Sequence, residues 1–119
     1  MRRLSVIATV ITMSVAALSA QEVFNPGDGV SRPVAIKIVK PEYTEAAKAA
    51  RIQGVVVMQG VILADGSVGD VTVTESLDSV NGLDAQAIDA FKQSTFTPGT
   101  KDGKPVAVRV YMESVFALR

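Results

Sequence analysis

The sequence predicts an α+β fold in which an antiparallel sheet carries helices on one face. A dense β-branched run from Val55 to Leu63 is followed by the turn dipeptide Asp65-Gly66 and a second valine-rich run, which is typical of a β-hairpin. Apolar residues of one parity recur over positions 106–118, which indicates a long half-buried strand. One stretch with helical spacing precedes the hairpin and another follows it, so helices and strands are mixed along the chain.

The segment before the hairpin predicts a short strand and a first helix. Apolar residues alternate over positions 34–38, which favours a strand or extended segment that ends before Pro41. Thr44 can cap a helix whose first turn carries Glu45, and Gly54 is a natural stop for it. We therefore expect a helix of about two to three turns between Thr44 and Gly54.

The segment after the hairpin predicts a second helix. Asn81 is followed three positions later by Asp84, which resembles a capping box with Asn81 as the N-cap. The apolar stripe of this helix is formed by Leu83, Ala87, Ile88 and Phe91. We expect the stripe to pack on the sheet.

The last strand completes the predicted fold. Every second residue of this strand is apolar except Ser114. These apolar residues are Val106, Val108, Val110, Met112, Phe116 and Leu118. The whole order is strand, helix, strand, strand, helix, strand. This order predicts a three-stranded antiparallel sheet, with or without the short N-terminal strand, and two helices packed on one face.

Composition limits the size and chemistry of the protein. The 119 residues are enough for one domain, and 48% of them are hydrophobic but only 5% aromatic, so we expect a core of aliphatic side chains. Twelve basic residues balance twelve acidic residues, which argues against nucleic acid as a partner. The sequence contains no cysteine and no histidine, so disulfides, thiol catalysis and the usual zinc sites are excluded. We therefore expect neither a metal nor another cofactor.

The first twenty residues have the order of a secretory signal peptide. Arg2 and Arg3 precede an apolar stretch that ends in small residues, and cleavage is expected after Ser19 or Ala20. The apolar run is shorter than the roughly 20 residues of a membrane-spanning helix, although a retained anchor is the alternative. Residues 21–33, rich in Pro and Gly, are interpreted as a flexible leader, and residues 34–119 as the domain. Membrane contact is then expected only through partners.

Six short motifs occur in order over about 80 residues of the chain. They are Pro41-Glu42-Tyr43, Gly54-Val55-Val56-Val57, Asp65-Gly66-Ser67-Val68, Leu83-Asp84 with Ala87, Phe96-Thr97-Pro98 and Gly103-Lys104-Pro105-Val106. Together they resemble the C-terminal domain of TonB-family energy transducers. The sequence departs from that pattern at Gly60, where a large apolar residue is common, and at Ser94, where tryptophan is common. These departures predict a core with less side-chain volume, or a concave spot on the sheet.

The resemblance implies a binding module linked to TonB-dependent transport in the periplasm. In the family the final strand receives an extended segment of an outer-membrane receptor, the TonB box, by strand addition. An edge strand has unpaired backbone N–H and C=O groups that such a segment can complete. The implied partner-binding residues, for a receptor or another envelope protein, are Val108, Arg109, Val110, Tyr111, Met112, Glu113, Ser114, Pro41 and Tyr43.

Several alternatives remain open from the sequence. Tyr43 can equally be a core residue that staples the first helix. The final strand can be an inert edge, or it can pair with itself in a strand-exchanged homodimer. A small hydrolase that uses Ser114 or Thr95 with a carboxylate is disfavoured, because a general base and a glycine elbow are missing. Of the aspartates, Asp65 and Asp84 already have turn and cap roles, so we expect no catalytic residue.

Overall fold

The computed structural model describes residues 22–118. The predicted signal peptide, residues 1–20, lies outside the described residues. Within them, the elements in chain order are β1 Val23–Phe24, β2 Val34–Lys37, α1 Glu45–Ala49, β3 Gly54–Ile62, β4 Val68–Glu75, α2 Leu83–Gln93, β5 Thr95–Thr97, β6 Gly99–Lys101 and β7 Lys104–Phe116.

The centre of the main sheet is the antiparallel pair of β3 and β7. Their ladder runs over nine residue pairs, from Gly54 opposite Phe116 to Ile62 opposite Val108. On its other side β3 forms the predicted hairpin with β4, and the register shifts twice along it. The turn is closed by the Asp65 carboxylate, which accepts hydrogen bonds from the Ser67 N–H (2.9 Å) and hydroxyl (2.6 Å). The predicted hairpin and long last strand are both present.

The α+β class with two helices is confirmed, but the predicted three-stranded antiparallel sheet is wrong. The main sheet has five strands in the order β1-β7-β3-β4, with β6 paired to β7, and β1 runs parallel to β7. β2 does not join this sheet and instead pairs with β5 in a separate two-stranded ribbon. β1, β5 and β6 have only two or three residues each, which is too few to show an alternating pattern. The partners of β1 and β5 also lie far away in the sequence.

The first helix begins as predicted, but its predicted length of two to three turns is wrong, because α1 has only five residues. The Thr44 hydroxyl accepts a hydrogen bond from the Ala47 N–H (3.1 Å) and donates one to the Asn81 carbonyl (2.7 Å). Thr44 therefore caps α1 and also ties it to the loop before α2. On the inner side of the helix, Ala47 is fully buried.

The second helix is present, but the predicted cap at Asn81 is wrong. Gly82 is the N-cap residue, with φ of 94°, and no side chain of the N-cap residue closes the helix start. Instead the Asp78 carboxylate accepts a hydrogen bond from the Leu83 N–H (3.3 Å). Asp84 reaches back to the preceding loop and accepts hydrogen bonds from the Leu77 and Asp78 N–H groups, at 3.0 Å each. Two aspartates thus fix the loop and the helix start together.

The hydrophobic core lies between the sheet and the helices. The predicted stripe of α2 is buried at Leu83, Ala87 and Phe91. The Phe91 ring lies directly on Gly60, where a Cβ atom would be 2.7 Å from Cε2 of the ring. Phe91 also packs edge-on against Phe96, with centroids 6.2 Å apart. The gap predicted at Gly60 is therefore the place where α2 packs closely on the sheet.

Ser94, at the end of α2, connects that helix to the chain before α1. Its hydroxyl donates to the Ala90 carbonyl (2.9 Å) and accepts from the Val39 N–H (3.0 Å). The residue is buried, and both of its hydrogen bonds are satisfied within the protein. This contact holds residues 38–41 beside α2 and close to β7.

Candidate peptide-binding edge

The two sides of β7 differ after Val108. At this residue β7 is paired on both sides, with Ile62 of β3 and with Phe24 of β1. From Arg109 to Phe116, no strand within residues 22–118 pairs with the side of β7 away from β3. We call residues 109–116, on that side, the open edge. Since alternate residues of an antiparallel strand point their backbone groups to opposite neighbours, about four of these residues present unpaired N–H and C=O groups there.

The side chains of the open edge alternate between two faces. Val110, Met112, Ser114 and Phe116 lie on the face toward the helices, where each is buried or half-buried. On the opposite face, Tyr111 is 63% and Val115 is 68% exposed. This is the alternation that the sequence predicted. A strand added to the edge would continue both faces.

A larger cavity, of about 400 Å³, lies beside the first part of the open edge. One side of it is formed by residues 108–112 of β7. The other side is formed by residues of the segment before β2, namely Pro26, Val30, Ser31, Arg32 and Pro33, with Phe96 as a further lining residue. Apolar side chains dominate this lining, and its charged members are two arginines, Arg32 and Arg109.

A smaller cavity, of about 190 Å³, continues beside the second part of the open edge. Residues 112–115 of β7 face residues 38–41 across it, and the end of α2 contributes Ala90, Phe91 and Ser94. Its charged lining residues are Lys40 and Glu113. Met112 lines both cavities, so they adjoin at this residue. We call the two together the edge groove.

Most of the predicted partner-binding residues line the edge groove. Val108, Arg109, Val110, Tyr111 and Met112 line the larger cavity, and Met112, Glu113, Ser114 and Pro41 line the smaller one. The backbone of Val108 differs from that of the others, because it is already paired on both sides.

Tyr43 lies apart from the groove. Its hydroxyl donates a hydrogen bond to the Ile52 carbonyl, and its ring packs edge-on against Phe116 with centroids 5.4 Å apart. The residue is half-buried and packs against the core. These contacts support the structural alternative, in which Tyr43 staples the chain around α1.

Sequence reasoning missed the residues that face β7 across the groove. Pro26, Val30 and Pro33 belong to a segment that was interpreted as a flexible leader without a site. No periodicity in that segment marks them, because their position is decided by contacts with distant residues. Val39, which lines the smaller cavity, lies just after the alternating stretch of positions 34–38.

The edge groove offers backbone hydrogen-bonding groups, apolar side chains and a few charges. Among residues 22–118, no group of three or more acidic side chains is arranged to hold a metal ion. In the same part of the chain, the helices are too short or too polar to span a bilayer. Such a groove is suited to non-covalent binding of an extended polypeptide segment.

Comparisons with known proteins bear on the family and the fold of the chain. The sequence model described as Gram-negative bacterial TonB protein C-terminal matches residues 39–118. The solution NMR structure of the Pseudomonas aeruginosa TonB C-terminal domain is similar, with a TM-score of 0.62 and 26% sequence identity. That match covers 80% of this chain and 93% of the Pseudomonas domain. No curated protein sequence matches the chain.

Proposed function

Because the chain belongs to the TonB C-terminal family, we propose that it binds an extended segment of an outer-membrane receptor, or of another envelope protein, by β-strand addition to residues 109–116. The observation that carries the proposal is the open edge of β7, which adjoins the edge groove along its length. Domains of this family are periplasmic modules of TonB-dependent transport. The proposed role of this chain is that of a binding module and not of an enzyme.

Strand addition would combine two sources of affinity. Up to eight backbone hydrogen bonds, from the N–H and the C=O of each of about four residues, contribute roughly 0.5–1.5 kcal/mol net each. Apolar side chains of the partner that point toward the helices would be buried against Met112 and the walls of the groove. Ordering a flexible segment opposes binding, so we expect a dissociation constant in the micromolar range.

Amide hydrogen exchange tests where a partner binds. The probes are capped peptides with the TonB-box sequences of the receptors from the same bacterium, added to the full chain. In the free protein, amides of residues 109–116 that point away from β3 should exchange quickly. Bound peptide should protect them, because each then donates to the added strand. Binding that protects another surface and leaves residues 109–116 unchanged contradicts the proposal.

Proline substitution separates backbone pairing from side-chain contact. Val110 and Tyr111 are neighbours, so the N–H of one points to β3 and the N–H of the other points to the open edge. We expect one of Val110→Pro and Tyr111→Pro to remain folded by circular dichroism, since proline is tolerated where an edge N–H is unpaired. That variant should bind the peptide at least about tenfold more weakly.

Tyr111→Ala is the matched control for these variants. It keeps the backbone N–H and removes a side chain that is 63% exposed. Its effect on affinity should therefore be much smaller than that of the folded proline variant. If the folded proline variant binds as tightly as wild type, the open edge is not the binding site.

A further inference from the structure

Residues 22–33, here called the leader, lie against β7 although they precede the region that matches the TonB family. At one end β1 pairs Val23 with Ala107 and Phe24 with Val108. At the other end the Ser31 N–H donates to the Thr100 carbonyl (2.9 Å). The leader is thus attached to the domain at two points.

Between these points the leader makes a tight turn next to the start of the open edge. The Asp28 N–H donates to the Asn25 carbonyl (3.1 Å), and the Asn25 N–H donates to the Asp28 carboxylate (2.9 Å). The Asn25 side chain accepts a hydrogen bond from the Arg109 guanidinium, at the first residue of the open edge. The chain after this turn contributes Pro26, Val30 and Pro33 to the larger cavity.

This path has two consequences for a strand added to β7. First, β1 already occupies Ala107 and Val108, on the same side of β7 that is open from Arg109 onward. An added strand therefore meets β1 where the open edge begins. Second, the cavity of about 400 Å³ lies between the leader and β7, so side chains that enter it contact both.

We infer that the leader has two roles in partner binding. It forms the wall of the partner site that faces β7, and its strand β1 blocks residues 107–108, so that a partner can pair only with the eight positions 109–116. This inference rests on the proposed function. The partner is then a short extended segment whose side chains on the helix face are apolar near the Arg109 end, where they meet the leader and Met112 together. A longer strand could pair with Ala107 and Val108 only after β1 had left.

The leader could instead be a competitor that the partner displaces. The two roles predict opposite changes in affinity for the partner when contacts of the leader are removed. Loss of a wall weakens binding, whereas loss of a competitor strengthens it. The larger cavity is already present beside the open edge with the leader in place, which favours the wall.

The first test is the substitution Val30→Ser in the full chain, with capped TonB-box peptides of receptors from the same bacterium as probes. We expect about three- to tenfold weaker binding by calorimetry, the effect of removing one or two methyl groups from a buried contact. Val80→Ser is the matched control, because Val80 is 87% exposed in the loop before α2 and does not line the groove. Its affinity should equal that of wild type.

The second test follows the leader itself during binding. Amide exchange of residues 22–25 and 107–108 should stay as slow in the bound protein as in the free protein. Faster exchange there, or tighter binding by Val30→Ser, shows a displaced competitor and overturns the wall. If Val30→Ser binds the peptide as tightly as wild type, the leader is not a wall of the site, but the proposed function remains intact. Failure of wild type to bind any of the peptides overturns both.

Discussion

Phe91 and Gly60 form the closest contact between α2 and the sheet. A side chain at position 60 would collide with the Phe91 ring, so the missing Cβ is what lets the ring reach the strand. The sequence predicted both the apolar stripe with Phe91 and a concave spot at Gly60. It could not predict that the Phe91 ring fills the concave spot at Gly60, since that depends on how the helix lies across the sheet.

Phe91→Ala should strongly destabilise the domain. The side chain is 2% exposed, and it packs on Gly60 and Phe96 in a core with few aromatic residues. Its removal leaves a cavity, so we expect a loss of about 3–5 kcal/mol in the free energy of unfolding, measured by chemical denaturation. Tyr111→Ala removes an exposed aromatic ring and should cost far less. A loss below about 1 kcal/mol for Phe91→Ala would contradict the packing of Phe91 on Gly60 and Phe96.

At the scale of elements, local rules predicted the longer elements and the four-residue strand β2, and failed for strands of two or three residues. The hairpin, both helices and β7 each contain five or more residues with a readable spacing. β1 and β5 have two or three residues each, and their partners are distant in sequence. β6 has three residues, too few to show an alternation, although its partner β7 follows directly in the chain. The predicted cap of α2 satisfied the local spacing of Asn81 and Asp84, but a loop aspartate, Asp78, took the role. That exchange depends on how the whole loop folds.

Stability should fall at acidic pH through the two aspartates at the start of α2. The Asn81 N–H, by donating to Asp78, holds the pKa of that carboxyl below its usual value. Burial raises the pKa of Asp84, but hydrogen bonds from Asp78, Ser76 and Leu77 together lower it below its usual value. Because both groups bind protons more weakly in the folded state, their stabilisation is complete above the pKa of unfolded aspartate, about 3.9, and is lost as the pH falls through the folded values.

Denaturation at pH 6 and at acidic pH, for wild type and Asp84→Asn, tests this linkage. Wild type should lose stability steeply below about pH 4, and Asp84→Asn should lose less over the same range. If the free energy of unfolding of Asp84→Asn falls with decreasing pH as steeply as that of wild type, protonation of Asp84 is not coupled to folding.

The turn between β3 and β4 should tolerate no side chain at Gly66. Its φ is +88°, and a Cβ atom would lie 2.1 Å from the carbonyl oxygen of Phe96 in β5. Gly103 has a similar φ of +79°, but nothing lies within 4 Å of its Cβ position. Gly103→Ala should therefore cost only the roughly 1–2 kcal/mol of the left-handed conformation, and Gly66→Ala clearly more. Equal losses by thermal or chemical denaturation would mean that β5 moves away without cost.

At the scale of the whole molecule, the resemblance to the TonB family predicted the domain and the location of the edge. The walls of the groove could not be predicted. The leader is held on β6 and β7 by contacts between residues far apart in the sequence, namely Ser31 with Thr100 of β6, 69 positions apart, and Asn25 with Arg109 of β7, 84 positions apart. Contacts over such separations leave no spacing pattern in one sequence.

Export should produce a shorter chain than the full sequence. Residues 1–20 have the charged start, apolar stretch and small-residue end of a signal peptide. Intact mass of the protein from the envelope fraction should correspond to a chain that starts at Ala20 or Gln21. A mass that includes Met1 would show that the segment is retained, and membrane contact would then no longer depend on partners alone.

The mature chain should be a monomer, because the walls of the edge groove hinder self-pairing. Two β7 strands from separate molecules must approach to about 4.8 Å to form a ladder. The leader and residues 38–41 face residues 108–115 of β7 across the groove, and each molecule would bring its own copies of these segments to the joint. A single extended peptide has no such walls and can enter.

Sedimentation equilibrium from micromolar to millimolar concentrations tests the monomer. We expect one mass throughout, unchanged in the folded proline variant of Val110 or Tyr111. A mass that doubles with concentration in wild type but not in that variant would show that β7 pairs with itself. The strand-exchanged homodimer would then replace peptide binding as the use of the open edge, since the same unpaired N–H and C=O groups cannot serve both partners at once.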